Sequence, residues 1–471
     1  MTYDEEQKLL LNNFLEKQIY CYWRDSDKDC QECSSKSDGY QHSLELIISS
    51  ACNTQCTYCY YKNFKEDLNP TSICGKDNIL RNLEALLIGL SSKELKPSNI
   101  EIFSGEFFRL PYYKDILNLL KKYIKHKCAI SIPTNCTFAL KDSWTEEIES
   151  ILAEFNNSNL QLWLSLSCDG YYLDNTTRPL RNKKLYSDDY YDRLFKFAAK
   201  HKYSFHPMIS AHGIRYWKDN FKWFMDNIQK YYNVDKKEAY RYLYLLEVRN
   251  PDWTPENLKD LDNFIDYLLG DLKNTFKDST AIELFGIDLK KSSSKGCSTK
   301  RPLLNLFGSL ASTTGRGIGC SLQTSYAIRL GDLRIVPCHR TAYEGFSAGY
   351  YKREDLEKGI LKAEPENFLV FMATQSFSYK NLSSCNSCII SNLCTGPCIG
   401  CNYEVNKDFF TPVNPVCALE KSKIISMIKA FDKYDMFDFL IQRNLKNRFY
   451  DKYYQLKAIR EALKSADAVE S

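Results

Sequence analysis

Three cysteines close to the first apolar run constrain the fold of this chain more than any other feature. Cys52, Cys56 and Cys59 have the spacing Cys-x3-Cys-x2-Cys and follow closely on the run Leu44–Ile48. Three thiolates on one short loop can hold three irons of a [4Fe–4S] cube and leave the fourth iron open. A zinc knuckle and ordinary buried thiols are the competing interpretations. If the run is a strand, the loop lies at a strand end, where α/β barrels place their active-site loops.

Composition limits the class of protein. The 471 residues are 44% hydrophobic and 26% charged, which predicts a globular protein with room for two or three domains. The net charge of +4 is too small to indicate nucleic acid or an anionic membrane as a partner. No apolar run approaches a membrane span, and the acidic N-terminus lacks the apolar segment of a signal peptide, so we expect a cytoplasmic protein. Disulfides need an oxidising compartment, so the 19 cysteines favour iron–sulfur or metal ligation.

Short apolar runs alternate with helix-length segments between residues 43 and 248. The runs predict six strands, at Leu44–Ile48, Ile100–Phe103, Ala129–Ile132, Leu160–Leu166, Phe205–Ile209 and Tyr242–Val248. The segments between them predict helices, for example at Ile79–Leu90, Tyr113–Ile124 and Tyr190–Ala199. Strands that alternate with helices favour a parallel sheet with right-handed crossovers. Six such units predict an α/β fold with an open, partial (β/α)6 TIM-like barrel rather than a closed eight-stranded one.

The parts of the chain outside the barrel differ from it in composition. We predict an N-terminal helix and cysteine-containing extension at 1–42, the barrel at 43–255, and a linker helix and loop at 256–319 that includes the helical pattern Asp260–Lys273. Residues 320–418 are rich in cysteine and poor in periodic structure, which is typical of a small domain cross-linked by metal clusters. Apolar positions at helical spacing predict C-terminal helices at 419–471.

A second cysteine pattern lies in the C-terminal part. Its members are Cys385, Cys388, Cys394, Cys398 and Cys417, of which the first four have the spacing Cys-x2-Cys-x5-Cys-x3-Cys. Cys320, Gly331 and Cys338 lie upstream of it. A zinc ribbon would instead need two Cys-x2-Cys pairs at longer separation.

The two cysteine patterns resemble those of radical SAM enzymes with a C-terminal SPASM domain. The loop of Cys52, Cys56 and Cys59 is similar to the cluster motif of the superfamily, and the C-terminal spacing is similar to the core of the SPASM signature. One departure is that six residues separate Gly331 from Cys338, where the family typically has four. The resemblance implies the same (β/α)6 architecture, S-adenosylmethionine as a cofactor and three [4Fe–4S] clusters.

Residues at the ends of the predicted strands resemble the S-adenosylmethionine site of that family. The segment Ser104-Gly105-Glu106-Phe107 stands where the family has Gly-Gly-Glu-Pro, so its two central residues match and its outer two depart. A carboxylate at this position can accept hydrogen bonds from the methionine ammonium group. The cofactor-binding residues that the resemblance implies are Tyr58, Gly105, Glu106, Asn135, Ser167 and Arg178. It also implies contact of Asp169 with substrate or cofactor, so we predict Asp169 as the catalytic residue. A buried polar residue at a strand end is the alternative for each.

The resemblance also divides the cysteines among the clusters. Beyond the loop set, the distal auxiliary cluster would take Cys385, Cys388, Cys394 and Cys417, and the proximal one would take Cys320, Cys338 and Cys398. The fourth ligand of the proximal cluster is open between Cys297, Cys401 and a vacant iron. Three cysteines lie outside the signature and could supply a ligand to the barrel, bind zinc or stay unligated, which we favour: Cys21, Cys30 and Cys33.

An enzyme that modifies peptides or proteins is the function that the resemblance implies. We favour a maturase that installs a thioether, carbon–carbon or ether cross-link, or another oxidative modification, in a ribosomally made precursor peptide. The alternative is a dehydrogenase similar to the anaerobic sulfatase maturases, which form formylglycine. An alternative of another class is a non-catalytic iron–sulfur protein for electron transfer or scaffolding. The expected partners are the precursor peptide and an electron donor such as flavodoxin or ferredoxin. Because residues 1–42 are too short for a leader-recognition domain, leader binding would need either a separate leader-binding protein or another surface of the chain, such as an exposed strand edge.

Overall fold

The fold is described from a computed structural model of the chain. The residues that it describes are 2–24, 43–64, 76–156, 158–276, 325–376, 378–379, 382–391, 393–394, 396, 398–437 and 450–470. The sequence candidates Cys30, Cys33, Cys297 and Cys320 lie outside these residues. Within them, no helix combines the length and the apolar character needed to cross a membrane.

In the described part of the chain, six parallel strands form the barrel wall in sequence order. They are β1 (Ser43–Ser49), β2 (Asn99–Ser104), β3 (Cys128–Thr134), β4 (Leu160–Leu166), β5 (Met208–Ile209) and β6 (Leu246–Glu247). Strands β1 to β4 pair side by side, and β5 pairs with β6. Parallel bridges from Leu166 to Phe205 and from Phe205 to Leu243 connect the two groups. The expected partial barrel of an α/β protein is confirmed.

The strands bury one face and leave the other accessible. In β3 and β4 the buried residues Ile130 and Leu162 alternate with the partly exposed residues Ser131 and Trp163. Successive side chains of a strand point to opposite faces, so the apolar face packs into the core and the other lines the interior of the open barrel. Strand β1 is buried on both faces, because Ile47 on its inner side packs against residues of the C-terminal half.

Helices follow the barrel strands as predicted. The helices before the linker are α1 (Tyr3–Phe14), α2 (Cys21–Trp23), α3 (Lys76–Ser92), α4 (Tyr113–Tyr123), α5 (Asp142–Asn156), α6 (Asp174–Thr177), α7 (Asp188–His201), α8 (Trp217–Tyr232) and α9 (Lys236–Ala239). The linker helix α10 (Pro255–Thr275) begins earlier than the predicted Asp260. Thr254 caps it through a capping box with Asn257, and proline fits the first turn of a helix.

Four further strands extend the barrel sheet beyond β1, within the segment that the sequence predicts to be poor in periodic structure. They are β7 (Ser325–Arg329), β8 (Arg334–Val336), β9 (Gly349–Tyr351) and β10 (Ala363–Pro365). Strand β7 pairs with β1 in parallel, and the rest follow antiparallel to give the order β10-β9-β8-β7-β1-β2-β3-β4. Strands this short carry too few residues to show a period of two. The predicted boundary at residue 320 stays a prediction, and the sheet runs continuously from the barrel into this segment.

Helices pack against the C-terminal half on two sides. Those after β9 are α11 (Arg353–Glu357), α12 (Phe368–Ser376), α13 (Ser383–Asn386), α14 (Ile399–Asn406), α15 (Asn414–Lys433) and α16 (Tyr450–Glu470). Helix α15 packs against α10. At the other end, the Asn12 side chain of α1 donates to the Ala363 carbonyl (2.9 Å) and accepts from its N–H (3.0 Å). The N-terminal helix therefore covers the edge strand β10.

Candidate active site

Two of the three loop cysteines lie beside the hydroxyl of Thr54, just beyond β1. Cys52 Sγ lies 3.2 Å and Cys56 Sγ 3.5 Å from Thr54 Oγ1. Burial raises the pKa of Cys52, and raises that of Cys59 to about 11, with the neighbouring thiols adding to both shifts. Three half-buried thiols on one loop fit a [4Fe–4S] cluster with one open iron, which would displace their protons. No three His, Cys, Asp or Glu side chains of the described residues are arranged to hold a single metal ion, and the zinc knuckle stays an alternative.

Gly105 brings the end of β2 into contact with the cysteine loop. Its N–H donates to the Ser49 carbonyl (2.7 Å), and the N–H of Glu106 donates to the Ala51 carbonyl (2.9 Å). A Cβ atom at position 105 would lie 2.4 Å from the Ala51 oxygen and 2.6 Å from the Ser50 oxygen. Any side chain here would push the cysteine loop away from the sheet, so the position requires glycine.

Glu106 is buried where β2 and β3 end side by side. One carboxylate oxygen accepts hydrogen bonds from Thr134 Oγ1 (2.9 Å) and the Phe108 N–H (3.3 Å), and the other accepts from the Asn135 N–H (2.5 Å). Burial nevertheless raises the pKa of Glu106 to about 7. Glu106 is therefore a fixed carboxylate at the carboxyl edge of the sheet. Among its described contacts there is no ammonium group.

Asn135 ties the end of β3 to the cysteine loop. Its amide donates to Asn53 Oδ1 (2.8 Å) and lies within hydrogen-bond reach of Cys52 Sγ (3.5 Å). Its own Oδ1 accepts from Thr137 Oγ1 (2.8 Å). Both the nitrogen and the oxygen of the Asn135 amide therefore have hydrogen-bond partners in the protein, and this fixes the Cys52 thiol relative to the sheet.

Tyr58, Asp169 and Arg178 form a buried network beside the loop. The Tyr58 hydroxyl donates to Asp169 Oδ2 (2.7 Å) and accepts from Arg178 Nη1 (3.1 Å). Asp169 also accepts from Thr177 Oγ1 (2.7 Å) and the Met208 N–H (2.9 Å), so the protein engages both of its oxygens. The geometry supports Asp169 as a residue that positions Tyr58 and the start of β5. Its predicted catalytic role stays a prediction.

Ser167 follows β4 at the same edge of the sheet. Its N–H donates to the Thr134 carbonyl (2.9 Å), which joins β4 to β3 beyond the last ladder pair. The side chain is half-buried, and its hydroxyl makes no hydrogen bond with the described residues. All six predicted cofactor-binding residues therefore lie at or beside the carboxyl edge, and Ser167 keeps a hydroxyl available for a ligand.

The accessible inner face of the barrel carries polar and aromatic side chains. Ser165 Oγ and His206 Nδ1 lie 2.9 Å apart across β4 and the start of the β5 region. The His206 ring stacks on Tyr244 with a centroid distance of 4.7 Å, and burial lowers its pKa to about 4, so it is neutral at pH 7. Trp163 on the same face is 52% exposed. These residues offer a ligand one apolar surface and a few fixed hydrogen-bonding groups.

His339, which the sequence analysis missed, lies between the cysteine loop and the C-terminal cysteines. It directly follows Cys338, and its Nδ1 lies 3.2 Å from an oxygen of the buried Glu45 on β1. Its ring stacks on Phe103 at 3.8 Å and lies 5.7 Å from the ring of Tyr60, which follows Cys59. The pairing of β7 with β1 creates this arrangement, and no local sequence pattern reveals it.

Charge interactions connect the four C-terminal cysteines that are expected at the distal cluster. Burial raises the pKa of Cys417, and the neighbouring Cys385 and Cys388 thiols raise it further. The pKa of Cys394 rises to about 12 through burial, then through the charge of Glu420 and more weakly through Cys417. Their mutual influence requires that the thiols lie near one another, although their assignment as ligands stays a prediction.

The cysteines expected at the proximal cluster are described in part. Cys338 packs beside Ile399, the residue after Cys398. Cys401 is fully buried and packs with Val413 and Val416, with Cys398 against the same cluster. Cys401 therefore lies beside a predicted ligand, whereas Cys320 and Cys297 fall outside the described residues. Of the N-terminal cysteines, Cys21 is described, and its thiol donates to the Lys17 carbonyl (2.7 Å).

Known proteins share this architecture. A cysteine-type anaerobic sulfatase-maturating enzyme of Clostridium novyi (strain NT) is 22% identical over 400 residues, which cover 81% of this chain and 94% of that protein. The solved structure of native anSMEcpe with bound AdoMet and Cp18Cys peptide superposes with a TM-score of 0.54 at 17% identity, over 83% of this chain and 99% of that one. The chain therefore has the same fold as this solved structure. No family model matches it. SuiB of Streptococcus suis bound to S-adenosylmethionine matches with a TM-score of 0.45 at 17% identity, over 88% of this chain and 93% of that one.

Asp174 is a further buried acid at this edge of the sheet, beside Asp169, that the sequence analysis missed. Its Oδ1 accepts from the Asp169 N–H (2.8 Å) and its Oδ2 accepts from the Tyr191 hydroxyl (3.1 Å). Burial raises its pKa to about 6, and the charge of Asp169 adds to the shift. Its place four residues before Arg178 is the only signal in the sequence, and that spacing is too common to identify a site.

Proposed function

We propose that this chain is a radical SAM/SPASM peptide maturase, which uses S-adenosylmethionine to install a cross-link or another oxidative modification in a precursor peptide. The observation that carries the proposal is the meeting of the three-cysteine loop with Glu106, Asn135 and the Tyr58–Asp169–Arg178 network at one edge of a partial barrel. When bound, a [4Fe–4S] cluster with an open iron supplies the electron that cleaves S-adenosylmethionine to methionine and a 5′-deoxyadenosyl radical.

The residues of the barrel edge bind and orient the cofactor. Glu106 receives the methionine ammonium group, because a buried carboxylate with a raised pKa gains most from an adjacent cation. Ser167 and Arg178 take the carboxylate and ribose side, and Tyr58 lies beside the adenine. Asn135 and Gly105 hold the cysteine loop in the geometry that the other residues require.

The inner face of the barrel receives the peptide. Its exposed Trp163 and its fixed Ser165–His206 pair provide the mixture of apolar surface and sparse polar groups that is usual in binding sites. The barrel walls keep water from the radical, and they place one substrate carbon next to the cofactor.

The C-terminal cysteines would hold the clusters that accept the last electron of the reaction. For each cross-link, one electron enters from a flavodoxin or ferredoxin, and one hydrogen atom leaves a substrate carbon for the deoxyadenosyl group. Bond closure then releases one proton and one electron. Auxiliary [4Fe–4S] clusters, one of them at Cys385, Cys388, Cys394 and Cys417, are the proposed acceptors of that electron. This gives three clusters for the whole chain, in a cytoplasmic protein with a separate leader-binding protein as a further partner.

A sulfatase-maturase-like dehydrogenase is the second candidate. The Clostridium novyi relative is named a sulfatase-maturating enzyme and aligns with 81% of this chain, which favours the candidate. Both candidates require the same cleavage of S-adenosylmethionine, and they differ in the product, because only the cross-linking maturase joins two residues by a new bond. Formylglycine formation replaces the sulfur and two hydrogens of a cysteine side chain with one oxygen from water, or removes two hydrogens from a serine, and it forms no bond between residues.

Replacing the three loop cysteines together by alanine tests the proposal. We expect the Cys52→Ala/Cys56→Ala/Cys59→Ala variant to make no 5′-deoxyadenosine under dithionite, because no thiolate remains to hold the open cluster. A matched control, Cys128→Ala/Cys136→Ala, removes two buried thiols outside the predicted ligand sets and should keep activity in proportion to its folded fraction. Deoxyadenosine formation by the folded triple variant at the wild-type rate would overturn the proposal.

A further inference from the structure

We propose that Lys423 and Arg249 are positioning residues for the distal auxiliary cluster, which hold its cysteines against strand β6 and raise its reduction potential. The inference rests on the proposed function, because it requires a cluster at the four distal cysteines. It concerns a buried group of four charges between the barrel and helix α15 that the proposed function does not otherwise use.

The four charged side chains contact one another in a closed arrangement. Lys423 Nζ lies 2.8 Å from Glu247 Oε1 and 3.1 Å from Glu420 Oε2. Arg249 Nη2 lies 3.2 Å from Glu247 Oε1 and 3.3 Å from Glu420 Oε1. Each carboxylate therefore contacts both cations, and the formal charges cancel. Glu247 and Arg249 belong to the end of the barrel, whereas Glu420 and Lys423 belong to α15.

The network is deeply buried. Glu420, Lys423 and Glu247 are 2%, 5% and 8% exposed, respectively. Removing such charges from water costs several kcal/mol per ion, so a buried ion pair is often no more stabilising than apolar residues of the same size. The Oε2 atom of Glu247 also accepts no hydrogen bond from the described residues. Stability alone is therefore a weak reason for four charges at this position.

Both halves of the network reach the distal cysteines. Arg249 Nη1 donates to the Gly396 carbonyl (3.4 Å), and the Gly396 N–H donates to Cys394 Sγ (3.3 Å). On α15, Glu420 and Lys423 follow Cys417 by three and six residues, so they lie roughly 4.5 and 9 Å further along the helix axis at 1.5 Å per residue. Two of the four thiols are thus joined to the network through a hydrogen-bonded loop and through one rigid helix.

The sign of each nearby charge determines whether it raises or lowers the reduction potential of the cluster. One-electron reduction adds a negative charge to a cluster that four thiolates already make negative. A nearby cation stabilises the reduced form and raises the potential, whereas a nearby anion lowers it. Loss of a cation or of an anion from the same network should therefore shift the potential in opposite directions, which a general loosening of the structure would not do.

Reduction potentials of the reconstituted full-length protein test the inference. The distal signal in an EPR-monitored redox titration is defined as the one that a Cys385→Ala/Cys388→Ala variant lacks. We expect Lys423→Met to lower the potential of this signal, so that the ratio of oxidised to reduced cluster at a fixed potential rises about tenfold, or about 59 mV for one electron. Glu420→Gln should raise the potential. Lys433→Met on the same helix is the matched control, since its side chain is 57% exposed and pairs with Asp266, and it should shift nothing.

The possible outcomes distinguish a failure of the proposed auxiliary cluster from a failure of this inference alone. If the wild-type protein binds iron in the barrel but shows no distal signal, the proposed auxiliary cluster is wrong and this inference fails with it. If the signal is present and the two variants leave it unchanged or shift it in the same direction, the inference fails and the proposed function stands. Each carboxylate keeps Arg249 as a partner in Lys423→Met. Should that variant still fail to fold, Glu420→Gln decides alone, and an unchanged or lowered potential overturns the inference.

Discussion

Glu106 illustrates how a single residue joins the fold to the chemistry. Three hydrogen bonds from β3 and from the turn after β2 fix its carboxylate, and its burial raises its pKa to about 7. At neutral pH an appreciable fraction is therefore protonated until a cation arrives. An ammonium group next to it would restore the ionised form, so binding of the cofactor and ionisation of Glu106 should be coupled.

Replacing Glu106 by glutamine should weaken the binding of S-adenosylmethionine. The amide keeps the shape but loses the charge-assisted hydrogen bond to the ammonium group, a loss of about 1.5–3 kcal/mol. Anaerobic calorimetry on the reconstituted protein measures the affinity. Glu101→Gln, near the other end of the same strand, is the control and should bind the cofactor as the wild type does. Equal affinity for wild type and Glu106→Gln would mean that Glu106 only shapes the turn.

The sequence motifs predict which residues lie at the carboxyl edge, but they do not predict what those residues contact. Gly105 matches its motif because a Cβ atom would collide with the cysteine loop. Asp169 also matches a motif, yet Tyr58, Thr177 and the backbone of Met208 engage its carboxylate. Such partners come from different strands, and a motif within one segment cannot specify them.

At the scale of elements, alternation of apolar and polar residues in the sequence predicts the strands that have one buried and one accessible face. Strand β4 has the predicted bounds Leu160–Leu166, because its buried and accessible residues alternate along the whole run. The runs predicted at Phe205–Ile209 and Tyr242–Val248 contain only short ladders at β5 and β6, joined to β4 by single bridges. The attachment of β7 to β1 was not predicted, since pairing between distant segments leaves no periodic signal in either.

The distal cysteines lie on α13, on the loop after it and on α15. We expect the cluster that they hold to serve the product-forming half of the reaction. Cys385→Ala/Cys388→Ala should abolish modified peptide yet leave some cleavage of S-adenosylmethionine, because the barrel keeps its own three thiols. Mass spectrometry of the peptide and chromatography of deoxyadenosine measure the two activities separately. Circular dichroism must first show that the variant folds. Full product from a folded variant would make the distal cluster dispensable for electron transfer.

At the scale of the whole molecule, the described cysteines that we predict as cluster ligands fall into two groups that one sheet connects. The loop group follows β1, whereas the C-terminal group begins just after β8 and continues into the helices α13 and α15. His339 links the two groups directly, through Cys338 on one side and through Glu45 of β1 on the other. A single continuous sheet therefore fixes the distance between the proposed site of radical formation and the proposed electron acceptors.

The iron content of the reconstituted protein should reflect all three clusters. Anaerobic reconstitution should approach about twelve irons and twelve sulfides per chain, at four of each for every cube. The triple loop variant should lose about four irons, and the distal double variant should lose a similar number. A wild-type value near four would remove the auxiliary clusters from the proposed function.

The pairing of β7 with β1 has a consequence for biosynthesis. Strand β1 leaves the ribosome early, but its second neighbour follows roughly 280 residues later. At 5–20 residues per second, translation takes roughly 15–60 s to supply that neighbour. During this interval one edge of a strand that is finally buried on both faces has unpaired N–H and carbonyl groups, which is the kind of edge that recruits other chains. We therefore expect this edge to be open to non-native pairing until the C-terminal half has been synthesised and closes the sheet.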